Sequence, residues 1–342
     1  MKKVRWGVLG VAKIATEKVI PAMQGGEYAE VVAIASRDPA KAAAAATELG
    51  LAKAYGSYDE LLAAPDIEAI YNPLPNHLHR DWTMAAAERG KHVLCEKPIG
   101  MSAAECEKLI AARDRTGVKI QEAFMVRTHP QWLRAMEICR SGRLGEVRSY
   151  MGYFSYYNDD PDDIRNIAEA GGGGLMDIGC YLLTTSRMIF GEEPRRVMAL
   201  IERDPVAAVD ILTSMILDFP SGQAIGTCST RLVPYQRVHV FGAKGRIEIE
   251  VPFNAPNERP CRLWVDDGSD LFGGGIETIE IATCDQYRIQ GEAFSRAVLE
   301  DGEVAYPLEK SLENMRLIEA AFRSAETGRW ETPESSKPPE AP

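Results

Sequence analysis

Two residues stand out as a possible proton-handling pair: Lys97 in EKPIG (Glu96–Gly100) and Tyr181, which ends GGGGLMDIGCY (Gly171–Tyr181). A tyrosine hydroxyl ordinarily titrates near 10, and it becomes a useful base near neutrality only when a cation stabilises the phenolate. A lysine ammonium supplies that charge. Withdrawing a hydride from a hydroxyl-bearing carbon needs such a base, and the reverse reaction needs the matching acid. Taken singly, EKP is an ordinary surface turn and a tyrosine on an apolar helix an ordinary core residue. The pair acquires meaning only beside a hydride acceptor.

The start of the chain offers a place for one. The stretch RWGVLGVAKIA (Arg5–Ala15) runs from an apolar strand through glycine into a helix. A full dinucleotide fingerprint is G-x-G-x-x-G, whose glycines serve the tight turn, the close approach of the pyrophosphate and helix–strand packing. Here the three positions are Gly10, Ala12 and Ala15. Gly10 keeps the turn and Ala15 is an accepted packing variant. Ala12 adds one methyl group where the pyrophosphate would approach. The helix N-terminus still offers free N–H groups and a positive dipole end. At the close of the second strand, about 20 residues on, NAD enzymes usually carry an acid that holds the ribose diol. This chain reads Ser36-Arg37-Asp38-Pro39 there. Arg37 is either a phosphate-binding guanidinium or a solvated surface arginine, and Asp38 precedes a proline as a helix cap would. The expectation is NADP, with NAD the alternative.

The elements that must position these residues follow from periodicity. Up to residue 124, short apolar runs alternate with helical patterns: strands at Val4–Leu9, Glu30–Ala35, near Ala54, Ile67–Tyr71, His92–Cys95 and Lys119–Phe124. Such alternation implies right-handed crossovers and a parallel sheet covered on both faces. After a helix at Gln131–Arg140 come eight strand-like runs between Val147 and Ile281, joined by turns, and then two helical stretches, Asp285–Glu300 and Leu308–Ala325. These predict a largely antiparallel sheet. The expected domains are 1–124 (parallel α/β), 125–330 (α+β) and a polar, proline-rich tail at 331–342.

Composition narrows the classes. A net charge of −11 opposes nucleic-acid binding, which needs a basic face. No apolar run reaches the roughly 20 residues of a membrane span, and the lysine-containing N-terminus meets a glycine turn too soon for an export signal. Seven scattered cysteines without a C-x-x-C pair point to reduced thiols and a cytoplasmic protein. The five histidines lack ligand spacing with acids, so no metal is expected.

Together with GVLGVAKIA, the stretches YNPLPNHLH (Tyr71–His79), EKPIG and GGGGLMDIGCY make the chain resemble the glucose–fructose oxidoreductase / inositol dehydrogenase family from about residue 3 to 330. The terminal tyrosine and FSYYNDDPDDIRN (Phe154–Asn166) are similar to the branch containing D-xylose 1-dehydrogenase and dimeric dihydrodiol dehydrogenase. The resemblance implies a Rossmann domain followed by an α+β domain with a large, mainly antiparallel open sheet. It implies Lys97 and Tyr181 as the catalytic pair. It also implies cofactor contacts from Gly10, Ala12, Lys13, Ile14, Ser36, Arg37, Pro73, Leu74, Asn76, His79, Glu96 and Lys97. His79 is expected to be a positional contact rather than a base, and His77 a surface residue. Asn76 is expected to cap the following helix, and Pro98 to follow a cis peptide. Asp177, four residues before Tyr181, is either a substrate ligand or a helix cap. Arg127 and His129 either bind sugar hydroxyls or serve structure, and Arg165 contacts cofactor or substrate. The implied activity is NADP-dependent oxidation of a pyranose at C1 to the lactone. A trans-dihydrodiol dehydrogenase and a ketosugar reductase are the alternatives, and a non-catalytic regulator would be expected to lose Lys97 or Tyr181. The chain starts three residues before its first strand, without the cofactor-holding arm of glucose–fructose oxidoreductase, so it should release and rebind its cofactor. The resemblance pairs the open sheet with a second copy, giving a homodimer or homotetramer; the C-terminal helices are the alternative cover.

Overall fold

The six apolar runs at the start of the chain form β1 (Val4–Leu9), β2 (Ala29–Ala35), β3 (Lys53–Tyr55), β4 (Ala69–Asn72), β5 (His92–Cys95) and β6 (Ile120–Glu122). They pair in parallel in the order β3-β2-β1-β4-β5-β6. Helices α1 (Ile20–Gln24), α2 (Pro39–Glu48), α3 (Tyr58–Ala63), α4 (Asn76–Glu88) and α5 (Ala103–Thr116) join them. Their ends have local causes. Asp38 accepts from the N–H groups of Ala40 and Lys41 with Pro39 in the first turn of α2, and Ser102 accepts from Glu105 at the start of α5, which Gly117 closes at φ +71°. The segment before α1 is a π-helical turn, Ala15–Val19.

The computed structural model describes residues 2–333, and these divide into two compact units. The first holds the chain up to Leu133 together with Ala255–Pro260 and Ala282–Ser311. The second holds Arg134–Asn254, Cys261–Ile281 and the chain from Leu312 onward. These units differ from a division at residue 125, in which all later helices fall in the second domain. Helix α6 spans Pro130–Arg140, α7 Cys180–Phe190 and α8 Gln286–Leu299. Of these, α8 belongs with the parallel sheet. Its Phe294 ring lies 5.4 Å from that of Trp6 on β1, and Ser295 accepts from the buried Trp6 indole at 3.0 Å. Glu292 accepts from the N–H groups of Glu27 and Tyr28 at 2.9 and 3.0 Å. An amphipathic pattern reveals that one face is buried but not which sheet buries it.

The second unit is built on β7 (Val147–Tyr157), β8 (Arg196–Arg203), β9 (Asp210–Asp218), β10 (Gln223–Ser229), β11 (Arg231–Gly242), β12 (Arg246–Ile249), β13 (Cys261–Asp266) and β14 (Ile276–Ile281). Their order is β14-β13-β12-β11-β7-β10-β9-β8, antiparallel except for the parallel pair β7–β10. Helix α7 packs on one face: a Cβ at Gly152 on β7 would come within 2.8 Å of the Leu182 side chain, and one at Gly226 on β10 within 3.2 Å. The final helix, α9 (Leu308–Thr327), packs against α7. Glu313 and Asn314 on α9, with Glu193, surround the buried Arg187 guanidinium. The opposite face carries a register-aligned apolar row, Met151–Ile225–Ile216–Met198 across β7, β10, β9 and β8. Three of its members are exposed, with Leu200 beside them at 77%. Ordered chain runs beyond the expected start of the tail, since Glu331 bridges Val197 and Arg196 lies over the Trp330 ring. Residues 334–342 of the expected tail lie outside the described residues.

Candidate active site

In the first unit, Gly10 follows β1 at φ +84°, and its N–H donates to the Ala35 carbonyl at 2.8 Å. A Cβ there would lie 3.0 Å from the Leu74 side chain, so the position suits glycine on both counts. The helical chain begins at Lys13 and Ile14, and the Ala12 carbonyl accepts from Ala15 and Thr16 at 2.9 and 3.1 Å. No side chain caps this end. First-turn N–H groups have no intrahelical acceptors, so they suit an anionic pyrophosphate. At the end of β2, Ser36 accepts from the Asp38 N–H, Asp38 caps α2, and Arg37 is exposed. The residues therefore fit a dinucleotide cofactor.

The loop after β4 is more tightly organised than its composition suggests. Asn72 is fully buried. Its amide donates to the His79 carbonyl and Thr83 hydroxyl, both at 3.2 Å, and its oxygen accepts from Leu74 at 3.3 Å. Asn72 is a bracing residue that the sequence reading missed. Pro73 and Leu74 are buried within the loop. Asn76 is the first residue of α4 rather than its cap, which is Pro75. His77 is exposed. His79 is fully buried, with Nδ1 2.7 Å from the Pro98 carbonyl and Nε2 2.5 Å from that of Leu74. Burial pushes its pKa down to about 4, against the pull of the two carbonyls. Both ring nitrogens thus face protein carbonyls. The Lys97–Pro98 bond is cis. Glu96 accepts from the Tyr71 hydroxyl at 2.6 Å, and Lys97 is half-buried.

Arg127 and His129 also belong to the first unit. The Arg127 guanidinium lies 4.7 Å over the Tyr306 ring. His129 is fully buried; its Nδ1 accepts from the Gln131 N–H at 3.2 Å and its Nε2 meets Cys284 Sγ at 3.4 Å. These contacts occupy both ring nitrogens of His129 with protein groups.

In the second unit, the glycine run lets the chain pass a buried acid. A Cβ at Gly172 would come within 2.5 Å of the Arg165 carbonyl, and one at Gly173, φ +112°, within 2.1 Å of Asp210 Oδ1. Asp210 accepts from the Leu175 N–H at 2.6 Å and from the Thr213 hydroxyl at 3.2 Å, while burial raises its pKa. It thereby anchors the start of the segment carrying both Asp177 and Tyr181. Leu175–Gly179 is a π-helical turn, so α-helical spacing does not by itself put Asp177 and Tyr181 on one side. Such turns are frequent at functional sites, and nothing in the composition announces one.

Asp177 Oδ2 accepts from the Tyr156 hydroxyl at 2.6 Å and from Arg165 Nε at 3.2 Å, and Arg165 also pairs with Asp163 at 3.2 Å. Burial and the Asp177 carboxylate push the Tyr156 phenol well above its ordinary range, and Asp177 raises the Arg165 guanidinium. The structure thus joins Asp177 with Arg165, and Tyr156 is a further polar member that went unassigned. Tyr181 is 4% exposed, its ring 6.0 Å from Phe154 and 5.6 Å from Phe253. Those two rings stack at 4.8 Å.

The fold and the arrangement of these motifs define a nicotinamide-dependent oxidoreductase class. A model of the oxidoreductase family with an NAD-binding Rossmann fold (Gfo/Idh/MocA) matches residues 4–124, and one of its C-terminal domain matches 132–248. The chain belongs to the Gfo/Idh/MocA oxidoreductase family. It is 50% identical to an uncharacterised oxidoreductase of Rhizobium meliloti, covering 97% of this chain and all of that one. It is 42% identical to a D-xylose 1-dehydrogenase (NADP(+)) of Haloferax volcanii, over 94% of this chain and 98% of the relative. The crystal structure of aldose–aldose oxidoreductase from Caulobacter crescentus superimposes with a TM-score of 0.87 at 29% identity, over 97% of this chain and 100% of that one.

Proposed function

We propose that the protein oxidises an aldopyranose, such as xylose or glucose, at C1 to the lactone with NADP, in the cytoplasm. Bound nicotinamide would accept the hydride from C1. Tyr181 takes the C1 hydroxyl proton, and the Lys97 ammonium stabilises the phenolate that must exist before transfer. Asp177, held by Tyr156 and Arg165, is assigned to accept hydrogen bonds from sugar hydroxyls. A carboxylate anchored in this way is preorganised for that task. Arg37, exposed where an acid would hold a ribose diol, is assigned to the 2′-phosphate. The observation that carries the reading is the ordered set of four motifs, on a chain 42% identical to an NADP-linked xylose dehydrogenase. The exposed Met151–Ile225–Ile216 row supports a dimer or tetramer formed through this sheet face.

The test is the near-ultraviolet absorbance of reduced nicotinamide, with NADP or NAD and a panel of aldoses, inositols and dihydrodiols. Turnover of an aldose with NADP is expected, and Tyr181→Phe should lower kcat by about 10²–10⁴-fold, the usual contribution of a positioned proton-transfer group. Full turnover in Tyr181→Phe removes the assignment. Silence with every alcohol moves the test to NADPH and ketosugars.

A further inference from the structure

The backbone on either side of Lys97 is braced in a way the reaction itself does not require. Before it, the Glu96 N–H donates to the Asn72 carbonyl at 2.9 Å, and the Tyr71 hydroxyl holds the Glu96 carboxylate at 2.6 Å. After it, the Pro98 carbonyl faces His79 Nδ1 at 2.7 Å, and the Ile99 N–H donates to Glu122 Oε1 at 2.9 Å. His79 is itself tied down, since its own carbonyl accepts from the Asn72 amide at 3.2 Å. A strand end and a helix start are thus locked together around Lys97, the second residue after β5.

We propose that His79 is a positioning residue, donating from Nδ1 to the Pro98 carbonyl and so fixing the backbone from which the Lys97 side chain reaches the reacting hydroxyl. The proposal rests on the reading of Lys97 as the catalytic cation. A neutral imidazole has a single N–H, so it donates to the Pro98 or the Leu74 carbonyl and not to both. The proposal assigns the proton to the nitrogen facing Pro98. The reach of a lysine magnifies backbone error, and a displacement of about 1 Å in a catalytic group costs roughly 10²-fold in rate.

Three variants of the full-length protein separate this role from a general structural one. The amide of His79→Asn stands near the former Nδ1 and keeps a donor toward Pro98. The amide of His79→Gln stands near the former Nε2 and keeps a donor toward Leu74, and His79→Ala keeps neither. The expected result is a fall in kcat of about 10–100-fold in Ala and Gln, with Asn within about fivefold of wild type. The affinity for NADP, read by fluorescence titration without substrate, should change by less than about threefold in all three, because the dinucleotide loops remain. Rescue by Gln rather than Asn overturns the proposal, as does wild-type kcat in all three, or NADP affinity falling in step with kcat. Lys97→Ala serves as the reference. If it is inactive while the His79 variants are unimpaired, only the positioning role is lost; if it turns over normally, the reading of Lys97 fails first.

Discussion

Replacing Gly173 by alanine probes whether the glycine run is a device for seating the segment that carries Tyr181. Gly173 has φ +112°, and a Cβ there would lie 2.1 Å from Asp210 Oδ1. Gly142, in the same unit, has φ +78° and nothing within 4 Å of its ideal Cβ. Gly142→Ala bears the backbone penalty of an L-residue at positive φ, about 1–2 kcal/mol, and Gly173→Ala, further from the left-handed well, bears at least as much. Only Gly173→Ala must also displace a buried carboxylate from the Leu175 N–H, at a further cost of about 2–3 kcal/mol for a charged buried hydrogen bond. That difference corresponds to a Tm of Gly173→Ala about 4–12 °C below that of Gly142→Ala, for a unit of this size. Scanning calorimetry of both variants beside the wild type measures it. Aldose turnover should fall in Gly173→Ala and hold in Gly142→Ala, since the first shifts the start of the segment bearing Asp177 and Tyr181. Equal Tm values would refute the reasoning, because the collision would then be absorbed without loosening Asp210.

Arg37→Ala should raise the KM for NADP about tenfold while leaving that for NAD unchanged, as expected for the loss of one charge-assisted contact; parallel changes with both cofactors would remove the 2′-phosphate assignment. Burial drives both His79 and His129 to about 4, whereas the unfolded chain titrates near 6.5. The folded state therefore binds fewer protons between those values, so the stability these groups contribute is complete above about 6.5 and is lost as the pH falls toward 4. Tm should drop over that window, and His129→Asn, which keeps an acceptor for the Gln131 N–H, should flatten the slope; an identical slope counts against a neutral buried His129. Ile216→Glu, in the middle of the exposed apolar row, should lower the mass measured by analytical ultracentrifugation without changing the circular dichroism. An unchanged mass would place the subunit contact elsewhere.

Much of the architecture was written in local pattern. The strands His92–Cys95 and Ile276–Ile281 have the bounds read from the residues, and Asp38 and Ser102 cap helices because their side-chain oxygens accept first-turn N–H groups. What local pattern does not encode is partnership at long range. The apolar face of α8 is evident in the residues, but its burial against Trp6 depends on a contact spanning most of the chain. The same holds for the site. Lys97, Tyr181, Asp177 and Arg165 were picked out as candidates by motif position. Asn72, Tyr156 and Asp210 were not, because a buried polar group that braces a loop differs from a solvated one only in what it meets. His79 and His129 show the converse. Both were singled out as possible ligands, and both prove to have their ring nitrogens occupied by protein groups.

The division of the chain between the two units bears on how the protein is made. Domains of nascent chains generally fold as they emerge, N-terminal first. Here the parallel sheet leaves the ribosome early, but α8, which covers Trp6 and satisfies its indole N–H, begins only after β14, the last strand of the other sheet. The first unit must therefore wait, partly uncovered, until the whole of the second sheet has been translated. A ribosome stalled anywhere in the second sheet would present an incomplete nucleotide-binding unit with an exposed tryptophan, a natural client for a chaperone. For the same reason, cutting the gene at the end of β6 should yield an aggregation-prone fragment rather than a portable cofactor-binding module.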